Sequence, residues 1–281
     1  MITAFVLAGG GSLGAIEVGM LRALLERGER PDLIVGASAG AINGAYFAAE
    51  PTLAGVAKMD ATWRALRRQH IFPLGFSSVV ALLLRRDYLV RPDALRRLLE
   101  THLTYGDLER AALPIHVVAT ELLSGEEVLL STGPAVEAVL ASAAIPGVFP
   151  SVSIGGRVLV DGGVSNNTPI SAAIGLGAQR VLVLPTGFAC ALKRVPATAI
   201  GKALHSLNLL VARQLVNDIA RFRTAVELRV VPPLCPLDVS PYDYEGCGAL
   251  IERAADSTRA WIAGGGLAAD PVAGALVEHP H

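Results

Sequence analysis

A serine in a short glycine-framed segment is the first candidate for chemistry in this sequence. Ser38 lies at the centre of Gly-Ala-Ser-Ala-Gly, between a short apolar strand pattern and a helical pattern. A serine on such a sharp turn is exposed above the sheet, and the N-terminus of the following helix favours negative charge beside it. Gly36 and Gly40 lack a Cβ, which allows the strand and the helix to approach closely. The segment predicts a nucleophile, although a chain rich in glycine, alanine and serine also produces these letters by chance.

A second glycine-rich segment, Gly9–Gly14 (GGGSLG), follows another strand pattern and opens another helix. Its backbone N–H groups are suited to holding either a phosphate or the oxyanion of a tetrahedral intermediate. Three of its glycines also fit the G-x-G-x-x-G spacing of dinucleotide-binding proteins, so an oxidoreductase remains an alternative. The acidic residue that this alternative requires, Asp32, precedes its strand instead of following it. Ser38 follows that strand, and a parallel sheet therefore places it beside the glycines.

Asp161 is the candidate proton acceptor for Ser38. It ends the apolar pattern Val158–Val160 and is followed by Gly162 and Gly163. The ends of strands are where α/β sheets assemble their sites. A bare Asp-Gly-Gly is also a common turn, so this interpretation depends on the two glycine-rich segments.

A histidine base is the alternative. The chain has six histidines, and His205 lies in a helical pattern. The order Ser38, Asp161, His205 is that of an α/β-hydrolase triad, which would make the protein an esterase of that class. That fold usually has several strands before its nucleophile, whereas only one strand pattern precedes this serine segment.

Short apolar runs alternate with helical patterns along most of the chain, which predicts a mostly parallel sheet covered by helices on both faces. The predicted strands are Thr3–Ala8, Leu33–Val35, Ile115–Thr120, Glu127–Leu130, Val158–Val160, Arg180–Leu184 and Val226–Val231. The predicted helices are Ile16–Arg27, Ala41–Ala49, helical structure over residues 52–103, Pro134–Ala143, one beginning at Pro169, Ala199–Arg223 and Leu250–Ile262. We expect an α/β three-layer sandwich that forms one catalytic domain over residues 1–263, followed by a loose tail over 264–281.

Together these segments resemble the patatin-like phospholipase family, the serine lipid acyl hydrolases of plants and bacteria. The resemblance covers roughly residues 3–185, and the order, spacing and strand context of its segments make it specific. Many members have a basic residue before the last glycine of the first loop, where this chain has Leu13. The matching segments are Gly9–Gly14, Gly36–Gly40, Ala141–Pro150 and Asp161-Gly162-Gly163, with Asn167 and Pro169 behind the aspartate.

The resemblance implies a patatin-like fold and a catalytic dyad of Ser38 and Asp161 that needs no histidine, metal or cofactor. Ser38 would attack an ester carbonyl to form an acyl-enzyme, and Asp161 would take the serine proton and later activate water. The amides of Gly10, Gly11 and Ser12 would hold the oxyanion. The substrate would be a lipid or another fatty-acyl ester, as for a phospholipase A, a lysophospholipase or an esterase.

Composition excludes several classes of protein. The 281 residues are 52% hydrophobic with a mean hydropathy of +0.49, which excludes intrinsic disorder. A formal net charge of −1 provides no field that attracts nucleic acid. The sequence has no run of about 20 strongly apolar residues for a spanning helix and no basic region of a secretory signal. The three cysteines are too widely spaced for a disulfide framework or a zinc site. We predict a soluble, cytoplasmic protein.

Residues 58–98 are the most basic part of the chain, with nine basic and three acidic side chains. The apolar segment Phe72–Leu84 lies between the arginines. Such a segment suits a lipid interface or the cap of an acyl pocket, and would bring residues 72–97 to a membrane surface as a peripheral contact. A buried helix with solvated arginines at its ends is the other interpretation, and it is the one we favour.

Overall fold

A computed structural model of the protein describes residues 1–71, 88–187, 199–235, 237, 239 and 243–269. Its strands are β1 (Thr3–Leu7), β2 (Leu33–Ala37), β3 (Ile115–Glu121), β4 (Glu127–Leu130), β5 (Val152–Ile154), β6 (Arg157–Asp161), β7 (Arg180–Leu184) and β8 (Glu227–Val230). They form one sheet in the order β5-β6-β3-β2-β1-β7-β8, with β4 paired to β3.

The middle of the sheet is parallel, and the part around β3 to β6 is antiparallel. β1 pairs in parallel with β2 and β7, β2 with β3, and β7 with β8. β3 pairs antiparallel with β4 and β6, and β5 with β6. The central strands β1 and β2 are buried along their whole length, which explains why their sequences are almost continuously apolar.

Helices cover both faces of this sheet. They are α1 (Gly14–Glu26), α2 (Ala39–Ala49), α3 (Leu53–Ala65), α4 (Arg68–Ile71), α5 (Asp93–His102), α6 (Ala135–Ser142), α7 (Gly163–Asn166), α8 (Ile170–Gly175), α9 (Ala199–Phe222) and α10 (Cys247–Ala263). Alternate side chains of β1 point to opposite faces. Phe5 and Leu7 join a large core with α1, α2, α3, α5, α6 and α10. Ala4 and Val6 join a second core with α8 and α9. The α/β three-layer sandwich predicted from the sequence is therefore confirmed.

The last third of the chain completes both the sheet and the larger helical layer. β7 pairs with all five residues of β1. Helix α10 packs closely on α1, where a Cβ on Gly19 would lie only 2.2 Å from the carbonyl oxygen of Ile251. Residues 264–269 form turns after α10, and residues 270–281 of the predicted tail lie outside the described residues.

Strand β5 is an element that the sequence analysis does not predict. It pairs with β6 through a two-residue loop formed by Gly155 and Gly156. Their φ angles of +57° and +79° are those of the tight turns that suit the twist of a hairpin. The hairpin explains why Asp161 arrives at the site on a strand that is antiparallel to β3.

The helical prediction for residues 52–103 is wrong in part, because α3 ends at Ala65 and Tyr88 pairs with Gly147 in an isolated bridge. The apolar segment Phe72–Leu84 lies outside the described residues, so its contact with lipid stays a prediction. Within the described ranges, no helix is both long and apolar enough to cross a membrane.

Candidate active site

Ser38 occupies a strained turn between β2 and α2. Its φ of +53° makes it the one non-glycine residue with a positive φ in the described part of the chain. Such a conformation is unfavourable for a residue with a Cβ and persists where the surrounding packing enforces it. A Cβ on Gly36 would lie 2.4 Å from the carbonyl oxygen of Gly40, and a Cβ on Gly40 would lie 2.3 Å from that of Leu7. The two glycines therefore allow β2, α2 and the end of β1 to meet at this turn.

Ser38 and Asp161 are in direct contact. The Ser38 hydroxyl donates a hydrogen bond to Asp161 Oδ2 at 2.7 Å, and the N–H of Gly163 donates to Oδ1 at 2.7 Å. Ser38 is only 9% exposed and Asp161 only 6%. Burial raises the pKa of Asp161 to about 6, and the hydrogen bonds from Ser38 and Gly163 oppose part of this rise. A carboxylate with this pKa is suited to exchange protons near neutral pH.

Two hydroxyl groups that sequence reasoning missed hold this pair in place. Ser142 Oγ accepts a hydrogen bond from the N–H of Ser38 at 2.9 Å and donates one to the carbonyl oxygen of Val118 at 2.5 Å. Thr120 Oγ1 donates to the carbonyl oxygen of Asp161 at 2.9 Å. Ser142 is fully buried at the end of α6. These contacts fix the backbone of the strained turn and of the aspartate. Ser142 lies in the Ala141–Pro150 segment that resembles the family, but the sequence assigned no role to either hydroxyl.

The start of the glycine loop lies against Ser38. A Cβ on Gly9 would lie 3.1 Å from the Cβ of Ser38. The carbonyl oxygen of Gly9 accepts hydrogen bonds from Thr186 Oγ1 at 2.7 Å and from Asn167 Nδ2 at 3.2 Å. Gly10 packs on the same threonine, because a Cβ on it would lie 2.2 Å from Thr186 Oγ1. The loop is thus anchored to the segments that follow β7 and α7.

The middle of the glycine loop faces outward. Gly10 and Gly11 are partly exposed, whereas Ser12 and Leu13 are buried. Within the described chain the N–H groups of Gly10 and Gly11 donate no hydrogen bond, so they are available to a ligand. Gly11 has a φ of +59° and begins a short 3-10 turn that leads into α1 at Gly14. Leu13 packs in the large core.

A mostly apolar cavity opens beside Ser38. Its walls come from α2, α3, α5 and the segment after α6, and include Ile42, Trp63, Leu99 and Phe149. An apolar lining of this kind is typical of sites that hold an apolar ligand.

A buried polar network joins this cavity wall to the glycine loop. Asn43 accepts a hydrogen bond from Trp63 Nε1 at 2.8 Å. Its amide nitrogen donates to Glu17 Oε2 at 2.7 Å and to the carbonyl oxygen of Gly14 at 2.8 Å. Burial raises the pKa of Glu17 well above its usual range, and the hydrogen bond from Asn43 opposes this rise. Burial therefore favours the neutral form of Glu17, which is a further residue that the motifs do not indicate.

Comparison with known proteins assigns the chain to a family. A family model for patatin-like phospholipase matches residues 5–174, which is more than half of the chain. The chain belongs to the patatin-like phospholipase family.

Its curated relatives include much longer proteins. An uncharacterized NTE family protein of Mycobacterium tuberculosis is 33% identical over 185 residues, which cover 64% of this chain and 48% of the relative. Patatin-like phospholipase domain-containing protein 7 of mouse is 28% identical over 190 residues, which cover 66% of this chain and 13% of the relative. The chain thus spans about half the length of the mycobacterial relative. The solved structure of VipD from Legionella pneumophila has a TM-score of 0.49 and 15% identity, covering 94% of this chain and 67% of that one.

The patatin-like fold does not assemble the histidine triad. An aspartate in a triad would hold the histidine, whereas Asp161 accepts a hydrogen bond directly from Ser38. His205 lies on α9, which packs on the face of the sheet opposite to α2. It is not among the described residues that line the cavity.

The fold does not assemble a dinucleotide site either. Asp32 accepts a hydrogen bond from the N–H of Thr3 at 2.7 Å, so it lies at the start of β1. The glycine loop follows the end of β1, at the opposite edge of the sheet. Across the described ranges, no group of three or more His, Cys, Asp or Glu side chains is arranged to hold a metal ion.

Proposed function

We propose that the protein is a serine lipid acyl hydrolase that cleaves carboxylic esters of lipids, including phospholipids, through a Ser38–Asp161 dyad. The observation that carries the proposal is the 2.7 Å hydrogen bond from Ser38 Oγ to Asp161 Oδ2. Family membership supports acyl hydrolysis of lipids in general. The apolar cavity beside the serine supports a fatty-acyl group as the part of the substrate that binds there.

In the first step, Ser38 Oγ attacks the ester carbonyl carbon while its proton moves to Asp161 Oδ2. The carboxylate is ready for this transfer because its two oxygens are already oriented by the serine hydroxyl and by the N–H of Gly163. Burial also raises the pKa of Asp161 to about 6, which makes the carboxylate a stronger base than an exposed one. The strained turn holds the hydroxyl at the end of the cavity that the acyl group enters.

The negative charge that develops on the carbonyl oxygen needs hydrogen-bond donors. The N–H groups of Gly10 and Gly11, and that of Ser12, are the proposed donors. Gly11 lines the same cavity as Ser38, and the loop is anchored to Thr186 and is therefore preorganised. Each donor in such an oxyanion hole typically contributes about 10²–10³ in turnover.

The acyl-enzyme forms when the bond from the carbonyl carbon to the leaving oxygen breaks. Asp161 returns its proton to that oxygen, so the alcohol or lysolipid leaves neutral. Asp161 then takes a proton from water, whose oxygen attacks the acyl carbon. The bond from the acyl carbon to Ser38 Oγ breaks, Asp161 returns its proton to Ser38 Oγ, and the carboxylic acid leaves.

The test compares Ser38→Ala and Asp161→Asn with wild-type protein on p-nitrophenyl butyrate and on phospholipid vesicles. Each variant is expected to lose at least about 10²-fold in kcat/KM, the usual effect of removing a nucleophile or general base. Ser206→Ala and Asp256→Asn, both at exposed positions on α9 and α10, are matched controls and keep wild-type activity. A fluorophosphonate probe labels the wild type and not Ser38→Ala. Undiminished hydrolysis by Ser38→Ala, or folded wild-type protein that resists the probe, refutes the proposal.

A further inference from the structure

The apolar cavity beside Ser38 contains one polar cluster that the proposed catalysis does not use. Tyr46, Thr62 and His102, here called the polar trio, all line the cavity and are half-buried. The Tyr46 hydroxyl lies 3.1 Å from His102 Nδ1 and 3.3 Å from Thr62 Oγ1. Thr62 Oγ1 donates its own proton to the carbonyl oxygen of Lys58 at 3.0 Å. The three groups are therefore tied to one another.

The rest of the wall that α2, α3 and α5 contribute offers little to a polar group. Most of their lining side chains are apolar. Asn43 is the exception, and both ends of its amide are occupied by Trp63, Glu17 and Gly14. An acyl chain that extends from Ser38 along this wall therefore contacts apolar side chains first and the polar trio afterwards.

Helix α2 sets the distance between the nucleophile and the polar trio. Ala39, Ile42, Asn43 and Tyr46 line the cavity at helical spacing, so the cavity follows one face of α2 away from Ser38. Eight residues with a rise of 1.5 Å place Tyr46 about 12 Å from Ser38 along the helix axis. An extended chain advances about 1.2 Å per bond, because a three-bond residue spans about 3.5 Å. An acyl chain on Ser38 Oγ thus meets the trio after about eight to ten carbons.

We propose that the polar trio sets the preferred acyl-chain length, and that the substrates of this enzyme are esters of medium-chain acyl groups of about eight to ten carbons. This inference rests on the proposed function and refines it. Each methylene buried before the trio contributes about fourfold to binding. A further methylene has to displace half-buried polar groups from their hydrogen bonds, which cancels the gain.

The experiment measures kcat/KM of the full chain on p-nitrophenyl esters from four to sixteen acyl carbons, below their aggregation limits. For the wild type we expect a rise of up to about fourfold per methylene to about ten carbons, and a level or falling profile beyond. Tyr46→Phe/His102→Leu keeps most of the side-chain volume and removes the phenol and the imidazole from the cavity wall, leaving Thr62 bonded to the carbonyl oxygen of Lys58. In this variant the ratio of kcat/KM for fourteen carbons over eight carbons rises by about tenfold or more.

Tyr105→Phe is the matched control, since its hydroxyl donates to the carbonyl oxygen of Ala45 at 2.8 Å and it does not line the cavity. It keeps the wild-type profile. If the double variant does not fold, His102→Leu alone is expected to raise the same ratio of kcat/KM for fourteen over eight carbons, by a smaller factor. A wild-type preference for sixteen carbons, or an unchanged profile in the folded variants, overturns the inference. These outcomes leave the proposed function intact, because that function fails only when Ser38→Ala still hydrolyses the esters or the probe does not label folded wild type.

Discussion

Ester hydrolysis by this protein is expected to fall about tenfold between pH 7 and pH 5 because Asp161 becomes protonated. The carboxylate has to be ionised to accept the proton of Ser38, to which it is joined at 2.7 Å. Burial raises the pKa of Asp161 to about 6. Acid therefore removes the base in a range where an ordinary aspartate stays ionised.

The size of the effect follows from the ionised fraction of Asp161. With a pKa of about 6, about 90% of the carboxyl is ionised at pH 7 and about 10% at pH 5. With the ordinary value of 3.8, more than about 90% would be ionised at both pH values, and the profile would be flat. The fall in kcat/KM between pH 7 and pH 5 is therefore a measure of how far burial raises the pKa of Asp161.

The assay is kcat/KM on p-nitrophenyl butyrate from pH 4.5 to pH 8, read at the wavelength where p-nitrophenol and its anion absorb equally. Circular dichroism at each pH controls for unfolding. Histidine side chains in general titrate in the same range. The variants His205→Ala and His102→Leu are therefore expected to show the same fall in kcat/KM with acid as the wild type. The reasoning is refuted if kcat/KM is constant from pH 5 to pH 8 or falls only near pH 4. It is also refuted if the fall in kcat/KM disappears in either histidine variant.

The remaining predictions concern stability and the strained turn. Asp161→Asn is expected to unfold at higher urea than wild type at pH 8, by up to about 3 kcal/mol, since a rise in pKa from 3.8 to about 6 is a cost of the ionised form. The variant is the more stable one at pH 8 because the raised pKa means that the folded wild type binds the Asp161 proton more tightly than the unfolded chain does. The difference in unfolding free energy fades toward pH 4, and a wild type more stable than Asp161→Asn at pH 8 contradicts the prediction. Ser142→Ala leaves the N–H of the nucleophile without its acceptor and is expected to cost about 1–3 kcal/mol in urea unfolding together with part of kcat; equal kcat in the variant argues against a positioning role. Gly40→Ala would place a Cβ 2.3 Å from the carbonyl oxygen of Leu7 and is expected to abolish activity and lower the melting temperature, whereas Gly106→Ala, with nothing within 4 Å, does neither.

The central strands and the candidate pair Ser38 and Asp161 could be predicted from the sequence because their signals are local. Continuous apolar runs indicate buried parallel strands, and Ser38 and Asp161 each follow such a run. β1 and β2 are parallel, so their carboxyl ends share one edge of the sheet. Asp161 reaches the same place on the antiparallel strand β6, where it pairs with Ala119 of β3, and the rule for parallel strands does not predict that register. The glycines at positions 36 and 40 are recognisable in the sequence because close backbone contact leaves no room for any other residue.

The supporting contacts were not accessible, because they join a common side chain to distant backbone. Ser142 lies 104 residues from Ser38, and Thr186 lies 177 residues from Gly9. The Ala141–Pro150 segment marks the neighbourhood of Ser142, but no residue type or spacing in the sequence indicates which distant backbone group either hydroxyl binds. Strand β5 is a different case, since Gly155-Gly156 between two β-rich runs is a hairpin signal that was present in the sequence.

The residues matched by the family model end before the residues that complete the fold, because β7 pairs with β1. The family match ends at residue 174, but the strand that covers one side of β1 begins at Arg180, and the helix that packs on Gly19 belongs to residues 247–263. A fragment cut at the end of the match keeps Ser38 and Asp161, the proposed catalytic residues. It also turns the central strand of the sheet into an open edge that can pair with another chain, so we expect such a fragment to aggregate.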